Sequence, residues 1–374
     1  MRNDLIKEVV IEFGDTLEKL PFNFACTPTK EVFSASFIDK GRNLLHKWIG
    51  ERNPEYHEER KSGDIADGQP FLLGVMRHLL KEMNDPDHAI MKELETGVTA
   101  GILHPLPRNP LMFEEQLAWR LKQDNLYLAQ LQSENYKSLD EHIDEVEKKF
   151  REDEAEGMME ELSNEEYHKR YGVNVAVSSL AVLVEKDKLR VLHDGTHRTM
   201  VNHKIRCLDK LRMPGVREKH HLLRVFKEKK QVPLSILGDV MNAHRRVKIL
   251  PEEHGMLGCK LREPTTWVNK VGTFGLSSAA YWWARVAGGL VRIIYGLLGR
   301  HNPLDMLLYA DDLEFLGADK RERRSCVLAL YFLKLLGVPM KLKKFHGGFD
   351  VDWIGLHVDY RTYSIGLSAN RAGW

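Results

Sequence analysis

The spacing of apolar residues separates a helical first part of the chain from a mixed second part. GRNLLHKWIG and FLLGVMRHLLKEM, both within residues 41–82, have the three- and four-residue spacing of amphipathic helices. HPLPRNP (104–110) predicts a loop, and residues 113–133 return to a helical pattern. The acidic tract 134–168 has paired charges and few large apolar residues, which predicts a solvated helix or a linker.

From Gly172 onward, runs rich in Val and Leu predict β-strands. The predicted elements, in order, are a strand pair over 174–184 and 189–193, a strand ending near Asp239, a long helix over 275–299, two short strands over 306–310 and 313–317, a helix over 328–337 and a strand pair over 350–360. This order predicts an α+β fold, in which an antiparallel sheet is backed by helices as in ferredoxin-like folds.

Length and composition narrow the class of protein. The chain has 374 residues, of which 43% are hydrophobic, enough for two domains or for one domain with a large extension. No apolar run reaches the roughly 18 to 20 residues that a membrane span needs, so we expect no membrane partner. The four cysteines lie far apart, without metal-ligand spacing, and the first residues lack a signal core. We therefore expect an intracellular protein, with the cytoplasm and the nucleus both open.

The net charge of +1 conceals two halves of opposite sign. Residues 1–170 contain 22 Lys and Arg against 35 Asp and Glu, a net charge of −13, whereas residues 171–374 contain 33 against 19, a net charge of +14. A basic half favours a polyanionic partner such as nucleic acid. The simpler interpretation is a basic, solvated surface.

The pair Asp311–Asp312 lies between two apolar strands, where adjacent carboxylates repel each other. A solvated turn is one explanation, because Asp is common in turns. Bound divalent cations are the other, since Mg²⁺ prefers carboxylate oxygens together with substrate phosphates. Asp239 ends a similar apolar strand and is the candidate third carboxylate. Three such groups predict a site for two Mg²⁺ ions, or Mn²⁺ in their place, that activates a hydroxyl and holds a triphosphate.

Six segments of the second part resemble, in order, the motifs of reverse transcriptases, especially those of retrotransposons. YADD (309–312) is similar to the Y-x-D-D box, and GDVMNAHRRVKI (238–249) to the motif with the first catalytic Asp. TFGLSSAAYWWARV (273–286) resembles the box that opens the helix below template and nucleotide. The remaining matches are KLRVLHDGTH (188–197) with a fingers strand, LGVPMKLKKF (336–345) with the basic motif after the catalytic hairpin, and WIGLHVD (353–359) with the primer-grip hairpin.

The resemblance implies a right-hand polymerase with fingers and palm, which uses a primed RNA or DNA template and deoxynucleoside triphosphates. It implies Asp239, Asp311 and Asp312 as catalytic residues and, with Val240, as the metal site. It further implies nucleotide contacts by Lys188, Arg190, Ala243, His244, Phe274, Gly275 and Lys344, and a primer grip of Trp353, Ile354 and Gly355. Lys186 is an alternative to Lys188, Lys343 an alternative to Lys344, and a core role an alternative for Trp353.

The corresponding division of the chain is a mostly helical region (1–133), an acidic helical linker (134–171) and a reverse transcriptase domain (172–374). Within that domain the resemblance implies fingers over about 172–231 and 250–272, palm over about 232–249 and 273–360, and the start of a thumb connection over 361–374. The first region has no assigned role, and no oligomeric state follows from the sequence.

Two departures from the family pattern qualify these expectations. His244 stands where the family usually has Tyr or Phe as a steric gate against a ribose 2′-hydroxyl, so we expect weaker discrimination against ribonucleotides. The chain also ends soon after the primer-grip motif. A repurposed, inactive fragment that binds nucleic acid is therefore an alternative. An RNA-directed RNA polymerase is another, although that class usually has Gly where this chain has Tyr309–Ala310.

Overall fold

The computed structural model describes residues 1–27, 31–54, 56, 69–118, 134–185 and 188–373. The predicted helix over 113–133 falls largely outside these ranges, as does Lys186, and Gln116 to Ala118 are not helical. No helix in the described ranges is long and apolar enough to cross a membrane.

The α-helices of these ranges are α1 (Arg2–Phe13), α2 (Leu20–Cys26), α3 (Ala35–Arg52), α4 (Leu73–Glu82), α5 (Ile90–Thr96), α6 (Lys137–Asp140), α7 (Ile143–Ala155), α8 (Asn164–Tyr171), α9 (Val201–Lys204), α10 (Val216–Glu228), α11 (Ser277–Leu298), α12 (Lys320–Leu335) and α13 (Ala369–Ala372). Short 3-10 helices cover Gly14–Thr16, Ala243–Arg246, Pro251–Leu257 and Leu342–Lys344.

The strands are β1 (Met159–Ser163), β2 (Val177–Glu185), β3 (Lys188–Asp194), β4 (Leu234–Asp239), β5 (Gly258–Cys259), β6 (Thr265–Asn269), β7 (Asp305–Tyr309), β8 (Asp312–Gly317), β9 (His346–Gly348), β10 (Asp350–Trp353), β11 (Leu356–Asp359) and β12 (Ser364–Leu367). They form three sheets with the orders β7-β8-β4-β9, β1-β6-β5-β2-β3 and β10-β11-β12. The predicted α+β class, with antiparallel sheets backed by helices, is confirmed.

The sheet β7-β8-β4-β9 is antiparallel throughout and buries both of its faces. Leu313 and Phe315 of β8 point into the largest core, which also contains residues of α11 and α12. Leu316, on the opposite face, packs with α10 and with the sheet β10-β11-β12. Alternation along one strand thus places successive side chains in two different cores, which is why LEFLG is almost continuously apolar.

The helices α1 to α5 belong to the same core as this sheet. Phe37 of α3 lies 4.9 Å from Tyr331 of α12, ring centroid to ring centroid. Gly41 permits this approach, because a Cβ there would lie only 2.1 Å from the Tyr331 hydroxyl oxygen. Residues before 100 therefore complete the packing behind the sheet.

The acidic tract contributes to the five-stranded sheet. Phe150 of α7 packs edge-on against Trp267 of β6, with ring centroids 5.3 Å apart. The following segment forms β1, which pairs with β6 along its whole length. The apolar pattern does not predict β1, because MEELS has only two large apolar residues and its extended conformation depends on the partner strand.

Candidate active site

The three predicted aspartates lie together at one end of the sheet β7-β8-β4-β9. Asp239, the last residue of β4, is the cross-strand partner of Asp312, the first residue of β8. The amide of Val240 donates a hydrogen bond to the carbonyl oxygen of Asp311 (2.9 Å). Side chains of directly opposed residues are about 4.5–5.5 Å apart at their Cβ atoms, so the carboxylates of Asp239 and Asp312 are neighbours.

A tight turn joins β7 to β8 and carries the aspartate pair. Tyr309 pairs with Asp312, so Ala310 and Asp311 are the two turn residues. Ala310 has φ of +50°, a left-handed conformation that costs a residue with a side chain roughly 1–2 kcal/mol. Its carbonyl oxygen accepts a hydrogen bond from the indole Nε1 of Trp283 (2.7 Å). The turn is thus held both by the sheet and by a side chain of α11.

Burial and the neighbouring carboxylates both raise the pKa of Asp312. Its pKa is about 6. The largest cause is partial burial of the side chain, followed by the negative charges of Asp311 and Asp239. The positive charges of Arg190 and His346 act in the opposite direction. Arg190, on the neighbouring five-stranded sheet, is therefore close enough to influence the turn.

The donor chemistry of this corner suits a divalent cation, because clustered carboxylate oxygens are the ligands that Mg²⁺ prefers. Burial, followed by the charges of Asp311 and Asp239, raises the pKa of Asp312, so a positive charge at this corner would favour its carboxylate form. In the described part of the chain, however, no three His, Cys, Asp or Glu side chains are gathered closely enough to hold a metal ion. The chemistry of the carboxylates, rather than a gathered set of ligands, is what relates this corner to a divalent cation.

The other predicted nucleotide contacts, on the hairpin of β2 and β3, are only partly described. The Nε of Arg190 donates a hydrogen bond to Glu185 (2.9 Å), and both side chains are 42% exposed. Nothing of Lys188 beyond its backbone is described, and Lys186 lies outside the described residues.

His244 and Phe274 meet beside the aspartates. Their rings form an edge-on contact with centroids 5.6 Å apart. Burial lowers the pKa of His244, with the charge of Asp311 acting in the opposite direction, so the neutral imidazole is favoured. Ala243, just before it, is buried, as is Val240.

The backbone at Phe274 and Gly275 joins the five-stranded sheet to the start of α11. The amide of His193 donates to the carbonyl oxygen of Phe274 (3.0 Å). Gly275 has φ of +115°, and a Cβ there would lie 2.0 Å from the carbonyl oxygen of His193. Only glycine is compatible with both the conformation and the contact.

Asn202 is a residue of this junction that the sequence patterns do not reveal. Its Nδ2 donates to the carbonyl oxygen of Gly275 (2.6 Å) and to the Thr196 hydroxyl (2.9 Å). Its Oδ1 accepts from the amide of Ser277 (2.9 Å). One side chain thus links the loop after β3 to the first turn of α11. No spacing signal identifies it, since its partners are distant in sequence.

The basic segment after α12 lies beside the aspartates. The amide of Met241 donates to the carbonyl oxygen of Pro339 (2.9 Å), and Val240 bridges to Met340. Lys343 and Lys344 follow in an exposed 3-10 helix. The structure therefore brings the run KLKK near the predicted metal site.

The predicted primer-grip residues form the turn between β10 and β11. Trp353 pairs with Leu356, while Ile354 and Gly355 occupy the turn with φ of +46° and +80°. Trp353 is buried, and the Nζ of Lys219 lies 4.3 Å from the centroid of its ring. Its side chain is thus a core element, whereas Ile354 and Gly355 in the turn are half-buried.

Solved structures similar to this chain include foamy viral protease-reverse transcriptases. The protein in complex with double-stranded DNA is 15% identical, with a TM-score of 0.46 over 78% of this chain and 47% of that one. The complex with an RNA/DNA hybrid gives 12% identity and a TM-score of 0.48, over 79% and 36%. The native prototype foamy virus protein gives 12% and 0.44, over 67% and 30%.

The chain therefore spans about half or less of the length of these structures. No protein-family model matches the sequence, and no curated protein matches it.

Proposed function

We propose that this chain is the fingers and palm of an RNA-directed DNA polymerase of retrotransposon type, which extends a primer 3′-hydroxyl with deoxynucleoside triphosphates. The observation that carries the proposal is the meeting of Asp239 with Asp311–Asp312 at one end of an antiparallel sheet. Those aspartates come from segments 72 positions apart, and each lies at the end of an apolar strand, the pattern that predicts a metal site.

The proposed catalytic and metal-binding residues are Asp239, Asp311 and Asp312, with the backbone of Val240 beside them. When bound there, two Mg²⁺ ions, or Mn²⁺, would supply activation of the primer hydroxyl and neutralisation of the triphosphate charge. The protein's own contribution is to hold Asp239 and Asp312 at the ends of paired strands and Asp311 in the turn beside them, so that little reorganisation is needed at the moment of reaction.

The proposed nucleotide pocket lies between the fingers and α11. Arg190, whose charge reaches Asp312, would bind the triphosphate bidentately, as guanidinium groups do with phosphate oxygens. Phe274 and His244 form the wall on which the base and sugar would rest. Lys344 would neutralise the leaving pyrophosphate, and the turn of Ile354 and Gly355 would contact the primer end.

Primer extension on an RNA template with Mg²⁺ or Mn²⁺ tests the proposal. We expect extension by the wild type and loss of at least about a thousandfold in rate in Asp311→Asn, because one metal ligand is removed. Asp305→Asn is the matched control, since Asp305 lies at the other end of β7. Equal activity of wild type and Asp311→Asn would reject the assignment.

Absence of extension by the wild type favours the second candidate, an inactive nucleic-acid-binding fragment. The net charge of +14 in residues 171–374 favours that candidate over a protein without polyanionic partners. Binding of a primed template that weakens steeply with salt, without turnover, is its expected signature. A strong preference for ribonucleotides would instead indicate an RNA-directed RNA polymerase.

A further inference from the structure

Trp283 is a fully buried side chain of α11 that contacts the turn between β7 and β8. Its indole Nε1 donates to the carbonyl oxygen of Ala310 at 2.7 Å. Ala310 immediately precedes Asp311 and Asp312. In the sequence, Trp283 lies in the segment TFGLSSAAYWWARV, where no local pattern distinguishes it from the adjacent Trp282.

The hydrogen bond acts on the residue with the unusual backbone conformation. Ala310 has φ of +50°, in a region that residues with a side chain adopt only when their surroundings compensate for the strain. Its peptide group determines the direction in which the following two side chains leave the turn. A donor fixed on α11 therefore bears directly on the orientation of Asp311.

The indole is itself seated by the first part of the chain. The ring of Phe71 lies 6.3 Å from that of Trp283, centroid to centroid. The amide of Phe71 donates to Oε1 of buried Gln69 (2.9 Å), and the amide of Leu72 donates to the carbonyl oxygen of Leu336 (3.0 Å). These contacts link residues 69–72 to Trp283 and, through Trp283, to the turn.

We propose that Trp283 is a positioning residue for the aspartate pair, holding Ala310 in its left-handed conformation through the indole N–H, with Phe71 of the first part of the chain as its support. This inference rests on the proposed polymerase function for its catalytic consequence. It also assigns residues 69–72 a role in aligning the site.

The adjacent Trp282 provides a matched control. It too is fully buried on α11, and its Nε1 donates to a backbone carbonyl oxygen at 2.7 Å, but that oxygen belongs to Thr99, away from the aspartates. Replacing either indole by phenylalanine removes one donor and similar volume. Replacing either by benzothienylalanine removes the donor while retaining the bicyclic shape, which guards against a failure to fold.

Hydrogen–deuterium exchange of the full chain tests the positioning without depending on turnover. With the donor at 283 removed, we expect the amides of Val240 and Asp312 to exchange at least about fivefold faster, since a net hydrogen bond contributes about 1 kcal/mol. The same change at 282 should leave them unaltered. Unchanged exchange, or equal acceleration by both replacements, would overturn the proposal.

Primer-extension kinetics supply the second measurement. Removal of a group that orients a metal ligand typically costs roughly 10- to 100-fold in activity, and we expect that loss in kcat, with KM for the nucleotide changed less than about threefold. A rise in KM at constant kcat would contradict a role in orienting the aspartates. A wild type without extension contradicts the proposed function alone, since the exchange measurement still decides whether Trp283 holds the turn.

Discussion

Asp239 and Asp312 lie directly opposite each other on β4 and β8, so two carboxylates occupy one cross-strand pair. Like charges in this position destabilise a sheet. Partial burial, followed by the negative charges of Asp311 and Asp239, raises the pKa of Asp312 to about 6. The arrangement stores a repulsion that a divalent cation would relieve.

Asp312→Asn should therefore stabilise the protein in the absence of divalent cations. Because the native pKa lies above the unfolded one, this carboxyl lowers stability as pH rises through about 4 to 6. We expect the free energy of unfolding at pH 7.5 to rise by less than about 1 kcal/mol, since the side chain is partly exposed. Mg²⁺ should stabilise the wild type more than the variant in denaturant titrations. A less stable variant in EDTA would contradict this account.

His244→Tyr should strengthen discrimination against ribonucleotides. His244 contacts Phe274 in the proposed nucleotide pocket, and tyrosine would add bulk where a 2′-hydroxyl would lie. We expect the ratio of kcat/KM for deoxynucleotides to that for ribonucleotides to rise at least about tenfold, near 1.4 kcal/mol of differential binding. His244→Phe separates bulk from hydrogen bonding. An unchanged ratio in both variants would remove His244 from the sugar contact.

Gly275→Ala should disrupt the junction between the five-stranded sheet and α11. Its φ is +115°, and the added methyl group would meet the His193 carbonyl oxygen at 2.0 Å. We expect a loss of more than about 2 kcal/mol in the free energy of unfolding. Gly366→Ala is the control, because a Cβ there meets nothing within 4 Å, and it should change stability by less than about 0.5 kcal/mol. Similar effects of both variants would contradict the steric explanation.

His193 should make the protein sensitive to mild acid. Burial is the main cause that lowers its pKa to about 3. Below about pH 6.5 the unfolded chain binds a proton at His193, whereas the native imidazole stays neutral down to about pH 3. The free energy of unfolding therefore falls as the pH decreases from about 6.5 toward 3. This group accounts for about 2 kcal/mol between pH 7.5 and pH 5. The acid dependence should be smaller by that amount in His193→Phe, but not in His197→Gln, whose side chain is exposed. Identical pH profiles would refute the assignment.

Lys219 and Glu314 form a fully buried ion pair between α10 and β8. The hydroxyls of Ser235 and Tyr360 also donate to Glu314 (2.7 and 2.6 Å). Lys219→Met leaves a buried, uncompensated carboxylate, and we expect it to cost about 3–5 kcal/mol in the free energy of unfolding. The double variant Lys219→Met/Glu314→Gln should regain part of that loss.

Lys320→Met removes an exposed pair with Glu18 and should cost less than about 1 kcal/mol. Additive effects of the two buried substitutions would contradict their coupling.

The order of the main elements in the second part of the chain follows from the local sequence pattern. The predicted strands over 306–310 and 313–317 correspond to β7 (Asp305–Tyr309) and β8 (Asp312–Gly317), and the predicted helix over 275–299 to α11 (Ser277–Leu298). These predictions succeed because alternation and helical spacing are local properties. The prediction of Asp239, Asp311 and Asp312 as metal ligands is also local, because it rests on carboxylates at the ends of apolar strands.

The contacts between residues that are distant in sequence depend on how the elements pack in the folded protein. Asp239 faces Asp312 because β4 and β8 pair in one register. Trp283 reaches Ala310, and Asn202 joins Gly275 to Thr196, through contacts that no local pattern records. The fold likewise buries Lys219 completely, although this residue lies in a segment rich in Lys and His.

The role of the first hundred residues shows the same division. Their apolar spacing predicts helices, and α3 and α4 are present near the predicted positions. That these helices complete the core behind the sheet, with Phe71 against Trp283, depends on the shape of both surfaces. Apolar spacing predicts that one face of a helix is buried. It does not predict which surface packs against that face, because this depends on the whole fold.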